Sequence, residues 1–169
     1  VLILGGTQFI GRTFVEHLQK TGGFELTLFN RQQTDSELFP ELEKLKGDRE
    51  TDDIIQIGKR HWDFIVDFSC FYPNALLNVL NQIDSVENYM LVSTCSVYDN
   101  EENKTQLRDE KADILACSAD QMADQSDATY GNRKAECERI LQKSGLPYSI
   151  FRPALVFGKY DYTDRLYYW

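Results

Sequence analysis

Two side chains with a spacing suited to proton chemistry are Tyr130 and Lys134, which stand four residues apart. Residues at i and i+4 share one face of a helix. A lysine ammonium beside a phenol favours the phenolate, and it lowers the pKa of the tyrosine from about 10 toward neutrality. Such a tyrosine can give and take a proton at neutral pH. Taken alone, the spacing arises often by chance, and a surface pair is the simpler interpretation.

A run of hydroxyl side chains, Ser93, Thr94 and Ser96, follows the apolar residues of a predicted strand. In open α/β sheets, ligands bind beyond the carboxyl ends of the strands. A hydroxyl there can bond the substrate oxygen that a tyrosine protonates, although Ser and Thr at strand ends also serve as caps. A Ser-His-Asp triad is poorly supported, because the histidines are His17, inside a predicted helix, and His61, before a predicted strand.

The chain begins with a short apolar strand that runs into residues 5–11, hereafter the glycine turn. Glycines let the backbone pass close to a ligand, and the following helix offers free N–H groups and the positive end of its dipole to phosphates. A strand before the turn, a helix after it and a second strand ending about 20 residues later are the context of dinucleotide binding. A tight strand-to-helix turn without a ligand is the alternative.

The end of the second predicted strand should carry the residue that selects the ribose of the cofactor. An Asp or Glu there would bond the 2′-hydroxyl of NAD. The chain has Asn30 and Arg31 instead, and a guanidinium can neutralise the 2′-phosphate of NADP. We therefore expect NADP to be favoured over NAD, with Arg12 as a second cation. The alternative for Arg31 is an exposed loop charge.

Strand-like and helix-like segments alternate along the chain, as in an α/β fold with a Rossmann-type, doubly wound parallel sheet. Apolar runs predict strands at 1–4, 24–29, 63–68, 89–93 and 148–151, with a short strand just before Gly47. Helical periodicity predicts helices at 9–20, 36–46, 51–59, 74–82 and 128–144. Residues 99–127, rich in Asp and Glu, are expected to form an acidic surface insertion without metal-ligand spacing.

The composition narrows the classes of function. The 169 residues suit one domain, and 42% hydrophobic residues suffice for a core. The net charge of -9 disfavours binding to nucleic-acid backbones. No apolar run reaches the roughly 18 residues of a membrane span, and no signal peptide is evident. The four cysteines form no CxxC pair, which favours reduced thiols and a cytoplasmic protein.

The glycine turn, the hydroxyl-tipped strand and Tyr130-x-x-x-Lys134 occur in an order that resembles the extended short-chain dehydrogenase/reductase family, the NAD-dependent epimerase/dehydratase group. The resemblance covers nearly the whole chain. It implies an NAD(P)-dependent oxidoreductase or epimerase that acts on a hydroxyl or carbonyl group of a small molecule, for example a nucleotide sugar. It also implies that Tyr130 is the acid/base, that Lys134 holds the nicotinamide ribose and tunes Tyr130, and that Thr94, four residues before Tyr98, polarises the substrate oxygen.

The resemblance further assigns the surroundings of the cofactor. The glycine turn would hold the pyrophosphate, Asp48 and Arg49 would lie by the adenine, and residues 68–69 would line the cofactor after the fourth strand. The stretch 150–158 is similar to the family's segment beside the nicotinamide. Family members commonly dimerise through the helix that bears the tyrosine, so a homodimer is expected. The predicted cofactor-binding residues are Gly5, Gly6, Thr7, Gln8, Phe9, Ile10, Gly11, Asn30, Arg31, Asp48, Arg49, Phe68, Ser69, Tyr130, Lys134 and Pro153.

Two departures from the family's pattern affect these expectations. Gln8 replaces the middle glycine of the family's turn, which would crowd the approach to the pyrophosphate. The pattern GGT-x-FIG and residues 160–165 are similar to a branch that includes chloroplast stem-loop RNA-binding proteins and bacterial isoflavone-reductase-like proteins. A catalytically weak scaffold that binds RNA or a protein partner therefore stays open. The family's substrate domain would begin near residue 159, so we expect a cofactor domain at 1–158 and the start of a truncated substrate domain at 159–169.

Overall fold

The computed structural model describes residues 1–58, 60–98 and 109–163. The strands are β1 (Leu2–Leu4), β2 (Thr27–Asn30), β3 (Glu43–Lys46), β4 (Trp62–Asp67), β5 (Val86–Val92) and β6 (Tyr148–Phe151). The α-helices are α1 (Phe9–Thr21), α2 (Pro73–Leu80), α3 (Ala119–Ala123) and α4 (Tyr130–Lys143). Short 3-10 helices cover Asp52–Ile57, Cys95–Val97 and Asp127–Thr129.

The strands form one sheet of six in the order β3-β2-β1-β4-β5-β6, and every neighbouring pair is parallel. Ile3 of β1 lies opposite Leu28 on one side and Val66 on the other. The winding reverses between β1 and β4, and in open α/β sheets a crevice forms at this point beyond the carboxyl ends of the strands. The order confirms the Rossmann-type, doubly wound sheet expected from the sequence.

Apolar side chains cover both faces of the sheet at β1, so this strand is buried on both sides. Leu2 and Leu4 belong to a cluster with Leu76 of α2 and Leu141 of α4. Ile3 points the other way and packs in a cluster with Val15 of α1. Successive strand residues point to opposite faces, so one short strand joins the two layers of helices. This packing fixes the glycine turn that follows β1.

Several predicted boundaries are wrong. Residues 36–46 do not form a helix: turns lead into β3, and Phe39 has a φ of +58°, which no right-handed helix allows. Pro40 follows, and a residue before proline is biased away from helical backbone. The strand predicted at 24–29 begins only at Thr27, and the helix predicted at 128–144 begins at Tyr130.

The helix predicted at 51–59 is the 3-10 helix that begins after Thr51, whose side chain accepts a hydrogen bond from the Asp53 amide. Its predicted last residue, Lys59, lies outside the described residues. The short strand expected before Gly47 is present as β3.

The acidic stretch is described only from residue 109 onward, and positions 99–108 lie outside the described residues. Residues 109–127 are all exposed or half-buried, and they include α3, which begins with a capping box between Ser118 and Gln121. Within the described ranges, no helix has the length and apolar character needed to cross a bilayer. The same ranges hold no cluster of His, Cys, Asp and Glu suited to a metal ion.

Candidate active site

The glycine turn adopts a backbone that only glycine tolerates well. Gly5 and Gly6 have φ values of +96° and +86°, in the region where a Cβ atom is strained. A Cβ added to Gly11 would lie 2.9 Å from both the Cα and the N of Gly6. The turn is tied to the sheet because the Gly5 amide donates to the Phe29 carbonyl at 3.0 Å. The glycines therefore allow the start of α1 to press directly against the end of β1.

The N-terminus of α1 faces this turn without a side-chain cap. Gln8 occupies the capping position but makes no capping hydrogen bond, and the first turn of α1 carries no acidic residue. The uncapped amides and the helix dipole favour an anion. The side-chain nitrogen Nε2 of Gln8 instead donates to Thr34 Oγ1 at 3.0 Å. Gln8 thus joins the glycine turn to the loop after β2.

A cavity of about 1300 Å³ opens beyond the carboxyl ends of the strands, at the switch point of the sheet. Every residue predicted as catalytic or cofactor-binding lies on its wall. These residues come from segments far apart in the sequence: Gly5, Gly6, Thr7, Gln8, Phe9, Ile10, Gly11, Asn30, Arg31, Asp48, Arg49, Phe68, Ser69, Thr94, Tyr130, Lys134 and Pro153. Their individual roles remain predictions.

Lys134 is buried at the cavity wall, with 2% of its surface exposed. Its ammonium donates to the carbonyl of Cys70 at 2.6 Å and to the carbonyl of Val92 at 2.9 Å. A lysine ammonium has three N–H donors, so within the described part of the chain one remains for a ligand. Tyr130, four residues earlier, is the half-buried first residue of α4. The pair is therefore part of the cavity and not a surface pair.

Thr94 is also buried, and its hydroxyl caps the 3-10 helix that follows β5. Its Oγ1 accepts from the Ser96 amide at 3.1 Å and donates to the Ser96 hydroxyl at 3.2 Å. The capping interpretation is thus realised, and the same side chain lies on the cavity wall. To bond a substrate oxygen, Thr94 has to release the Ser96 hydroxyl. The neighbouring Ser93 Oγ is buried without a hydrogen-bond partner in the described part of the structure.

The end of the cavity near β2 and β3 carries charge of both signs. Arg31 is exposed, and its Nη1 lies 3.9 Å from Oδ2 of Asp48. Arg12, expected as a second cation, is directed elsewhere: its Nε donates to Glu16 at 3.2 Å, and its guanidinium stacks 3.8 Å from the ring centroid of Tyr160. Arg12 is absent from the cavity wall, so the expectation that it assists Arg31 is wrong.

A buried network beneath the cavity was missed by the sequence analysis. Asp67, at the end of β4, accepts from both terminal nitrogens of Arg49 at 2.8 and 2.9 Å and from the Tyr89 hydroxyl at 2.7 Å. It also accepts from the Ser69 amide at 3.0 Å, which shapes the turn after β4. An Asp inside an apolar strand signals a buried partner, but the sequence does not say which cation supplies it.

Electrostatics keep this network ionised. Burial by itself would raise the pKa of Asp67, but the Arg49 charge and the hydrogen bonds from Arg49 and Tyr89 outweigh it and hold that pKa below its usual value. Burial, followed by the Asp67 charge, raises the pKa of Tyr89 well above its usual value, so the phenol stays a neutral donor. The Arg49 guanidinium predicted near the adenine is thus bound to a carboxylate of the sheet.

A second missed feature holds the loop before Tyr130. Arg133, 3% exposed, donates from Nη1 to the carbonyls of Asp124 and Ser126 and to the Thr129 hydroxyl. Its guanidinium also lies 5.0 Å from the ring centroid of Tyr72. Positions 125 and 127 of this loop lie on the cavity wall. Arg133 therefore fixes the loop that leads into the predicted acid/base.

The geometry of the glycine turn fits a dinucleotide pyrophosphate. The space that a Cβ would fill at Gly5 and Gly11 is bordered by residues 6, 68 and 69, and the uncapped start of α1 faces the same cavity. Such an arrangement can seat a pyrophosphate on backbone N–H groups. Residues 5–11 would hold it.

Comparison with known proteins identifies the family of the chain. The sheet order and the cavity are those of a Rossmann-type dinucleotide-binding domain. The sequence pattern of an NAD-binding family described as male sterility protein matches residues 73–166, which is more than half of the chain. The chain belongs to this family.

Individual relatives cover more of the chain. It is 25% identical over 178 residues to the chloroplast stem-loop binding protein of 41 kDa b from Arabidopsis thaliana, a match that covers 96% of this chain and 43% of the relative. The chain thus spans less than half the length of this curated relative.

Two solved structures share the fold. UDP-glucuronic acid 4-epimerase from Bacillus cereus, in complex with NAD, matches with a TM-score of 0.70 and 17% identity over 93% of this chain and 57% of the other. The UDP-Glc/GlcNAc 4-epimerase from Campylobacter jejuni gives a TM-score of 0.71 and 16% identity over 89% and 52%.

Proposed function

We propose that this protein is an NAD(P)-dependent oxidoreductase or epimerase that acts on a hydroxyl or carbonyl group of a small molecule, with a nucleotide sugar as the leading substrate class. One observation carries the proposal: Tyr130, Lys134 and Thr94 lie on the wall of the same cavity as the glycine turn. The epimerases that share the fold act on nucleotide sugars by name, which supports the choice of substrate class.

The three side chains divide the chemistry between them. A bound nicotinamide supplies or accepts the hydride. Tyr130 exchanges the proton of the substrate oxygen, and Lys134 uses its remaining N–H to hold a ribose hydroxyl. Thr94 turns its hydroxyl from Ser96 toward the substrate oxygen and orients it.

Turnover of a panel of UDP-sugars by the purified protein with NADP and NAD tests this assignment. Tyr130→Phe should lower kcat by about 10²- to 10⁴-fold, the usual contribution of general acid–base catalysis, and should leave cofactor affinity nearly unchanged. Tyr148→Phe is the matched control, because this tyrosine is 42% exposed on β6 and absent from the cavity wall. Equal rates for Tyr130→Phe and the parent would remove Tyr130 from the mechanism.

NADP is proposed as the preferred cofactor because Arg31 lies at the ribose end of the cavity and no carboxylate ends β2. Calorimetry of the parent should give a lower Kd for NADP than for NAD, and Arg31→Ala should abolish the difference. Tighter binding of NAD by the parent would contradict the preference.

A binding scaffold is the second candidate. Two observations favour it: the relative from Arabidopsis is a stem-loop binding protein by name, and the Thr94 hydroxyl is occupied by its cap. The net charge of -9 counts against RNA. Binding of a stem-loop RNA that weakens steeply with salt would support this candidate, whereas weak binding with a flat salt response would exclude it.

A further inference from the structure

Two polar side chains on the cavity wall close to Tyr130, those of Gln125 and Asp127, take no part in the proposed proton and hydride transfer. We propose that they bind hydroxyl groups of the substrate beside the reacting carbon, and that the Asp127 carboxylate selects against a substrate with an anion at this place. The inference rests on the proposed function, because it requires the substrate to lie against Tyr130. It adds which substituents of a nucleotide sugar the site accepts.

Asp127 lies on the same side of its helix as Tyr130. It begins the 3-10 helix Asp127–Thr129, which runs directly into α4, and its carbonyl accepts from the Tyr130 amide. Side chains three residues apart on a helix are neighbours, with about 5–6 Å between their Cβ atoms, and both residues line the cavity. A substrate whose oxygen meets the Tyr130 phenol therefore brings its neighbouring substituents within reach of the Asp127 carboxylate.

Other groups hold the loop before Tyr130, which leaves the two proposed side chains available to a ligand. The Asp124 carboxylate accepts from the amide and hydroxyl of Ser126 at 2.9 and 2.6 Å and from the Thr129 hydroxyl at 2.9 Å. Arg133, which is absent from the cavity wall, binds two carbonyls of the loop. Among the described residues, neither Gln125 nor Asp127 has a side-chain hydrogen bond or salt bridge.

The start of α4 lies directly against the turn that carries the hydroxyl groups. A Cβ added to Gly131 would collide with the carbonyl oxygen of Ser96 and would lie 3.0 Å from Cδ1 of Leu115, so glycine is required for this close approach. Ser96 also lies on the cavity wall and accepts a hydrogen bond from Thr94. The hydroxyl groups after β5 and the loop before α4 therefore border the same part of the cavity, and a backbone contact fixes their separation.

The charge of this part of the wall disfavours an anion. Among the wall residues that the structure describes, the cations are Arg31, Arg49 and Lys134. Arg31 follows β2, three inter-strand steps from β5, which places it roughly 14 Å away. Arg49 is paired with Asp67, and Lys134 is bound to two carbonyls. No described cation of the wall is therefore free to form an ion pair with an anion beside Asp127.

The chemistry of this part of the wall suits a sugar ring. Phe71 and Tyr72 lie on the wall after β4, and ligand pockets combine such aromatic faces with a few polar groups that fix orientation. The oxygens of Gln125 and Asp127 accept hydrogen bonds from hydroxyl groups, and the Gln125 amide also donates. A carboxylate on the substrate would instead face Asp127, and repulsion between two such exposed charges changes affinity by roughly two- to fivefold.

Two nucleotide sugars that differ at one carbon test the inference. UDP-glucose has a hydroxymethyl group where UDP-glucuronic acid has a carboxylate. The proteins are the parent, Asp127→Asn, Gln125→Ala and the control Asp120→Asn, which changes an exposed carboxylate of the same acidic stretch that is absent from the cavity wall. Initial rates give kcat/KM, and calorimetry in a Tyr130→Phe background gives Kd without turnover, in both cases with the tighter-binding nicotinamide nucleotide present.

The parent should bind UDP-glucose more tightly than UDP-glucuronic acid. Asp127→Asn should narrow this ratio by roughly two- to fivefold, because asparagine keeps an acceptor oxygen but removes the charge. Gln125→Ala should weaken the binding of both sugars by roughly two- to tenfold, the effect of one lost hydrogen bond, and should leave their ratio unchanged. Asp120→Asn should change neither constant.

A ratio that is the same in Asp127→Asn and the parent, with both sugars still bound, overturns the inference and leaves the proposed function standing. The same conclusion follows if Asp127→Asn lowers only the midpoint of urea unfolding, since the carboxylate then serves the helix dipole alone. If the parent binds the nicotinamide nucleotide but neither sugar, the inference fails together with the nucleotide sugar as substrate class, while the cofactor site stands.

Discussion

Replacing Gly11 by alanine probes the contact on which the glycine turn depends. Alanine inside a helix is normally more stable than glycine by about 1 kcal/mol. Here the added Cβ would lie 2.9 Å from two backbone atoms of Gly6, which cannot rotate away. Overpacking costs about 1–3 kcal/mol, and the upper end applies to a backbone clash. The expected net loss for Gly11→Ala is therefore about 2 kcal/mol in the free energy of unfolding.

Urea unfolding and nucleotide calorimetry measure the two consequences of this clash. We expect the unfolding midpoint to fall, and we expect the NADP dissociation constant to rise by at least about tenfold, since α1 must move away from the turn that seats the pyrophosphate. Gly145→Ala is the matched control. Gly145 has a φ of +80° with no heavy atom within 4 Å of its added Cβ, so this variant should lose stability through backbone strain alone and should bind nucleotide as the parent does.

The result that refutes the reasoning is specific. If Gly11→Ala is more stable than the parent and binds NADP with an unchanged Kd, only the higher helix propensity of alanine is at work. The close contact between α1 and the turn is then not a determinant of the site. Loss of nucleotide binding in Gly145→Ala would likewise show that the effect is not local to the glycine turn.

Three further predictions concern the buried and capped polar groups. Lys134→Met should lower the free energy of unfolding in urea by about 2 kcal/mol, because it removes the donor to the carbonyls of Cys70 and Val92; equal stability would contradict the assigned contacts. Tyr89→Phe should lower the free energy of unfolding by about 1–2 kcal/mol and raise the pKa of Asp67 toward its usual value, because one hydrogen bond to the carboxylate disappears. NMR titration of the Asp67 carboxyl carbon measures this pKa, and a pKa equal to that of the parent would contradict the prediction. The pKa of Asp124 is lowered to about 2 by hydrogen bonds from the hydroxyl and amide of Ser126 and the hydroxyl of Thr129. The stability from this lowered pKa is present above about pH 4 and is lost as the pH falls toward about 2, so Asp124→Asn should unfold with a shallower pH dependence than the parent or Asp113→Asn.

The sequence predicted the architecture well where a pattern is local. The alternation of strands and helices and the glycine turn after β1 led to the correct sheet class and family, because buried apolar runs and positive-φ glycines leave direct traces in the chain. Residues 36–46 misled the analysis because their charge and leucine spacing imitate a helix, whereas Phe39 and Pro40 impose a turn. Local propensity lost to backbone geometry there.

The candidate site was predictable as a set of positions but not as a set of contacts. The motifs place Thr94 just beyond the end of β5 and Lys134 in the second turn of α4, so their meeting in one cavity follows from the topology. The partners of Arg49 could not be foreseen, because Arg49 lies in the turn after β3 whereas Asp67 is 18 residues away at the end of β4, and the sequence contains other carboxylates at similar separations. The same limit applies to Arg12, whose stacking on Tyr160 joins residues from opposite ends of the described chain.

The enclosure of the Lys134 ammonium has a consequence for how the protein can be studied. An amine that is 2% exposed and bound to the carbonyls of Cys70 and Val92 reacts with an acylating reagent only after α4 separates from the sheet. The rate at which Lys134 is labelled therefore reports how fast that helix opens locally, while surface lysines such as Lys20 and Lys143 react at once. A ligand that binds the third N–H of Lys134 should slow its acylation further. Mass spectrometry of the peptide that contains Lys134 would then report occupancy of the cavity without any catalytic turnover.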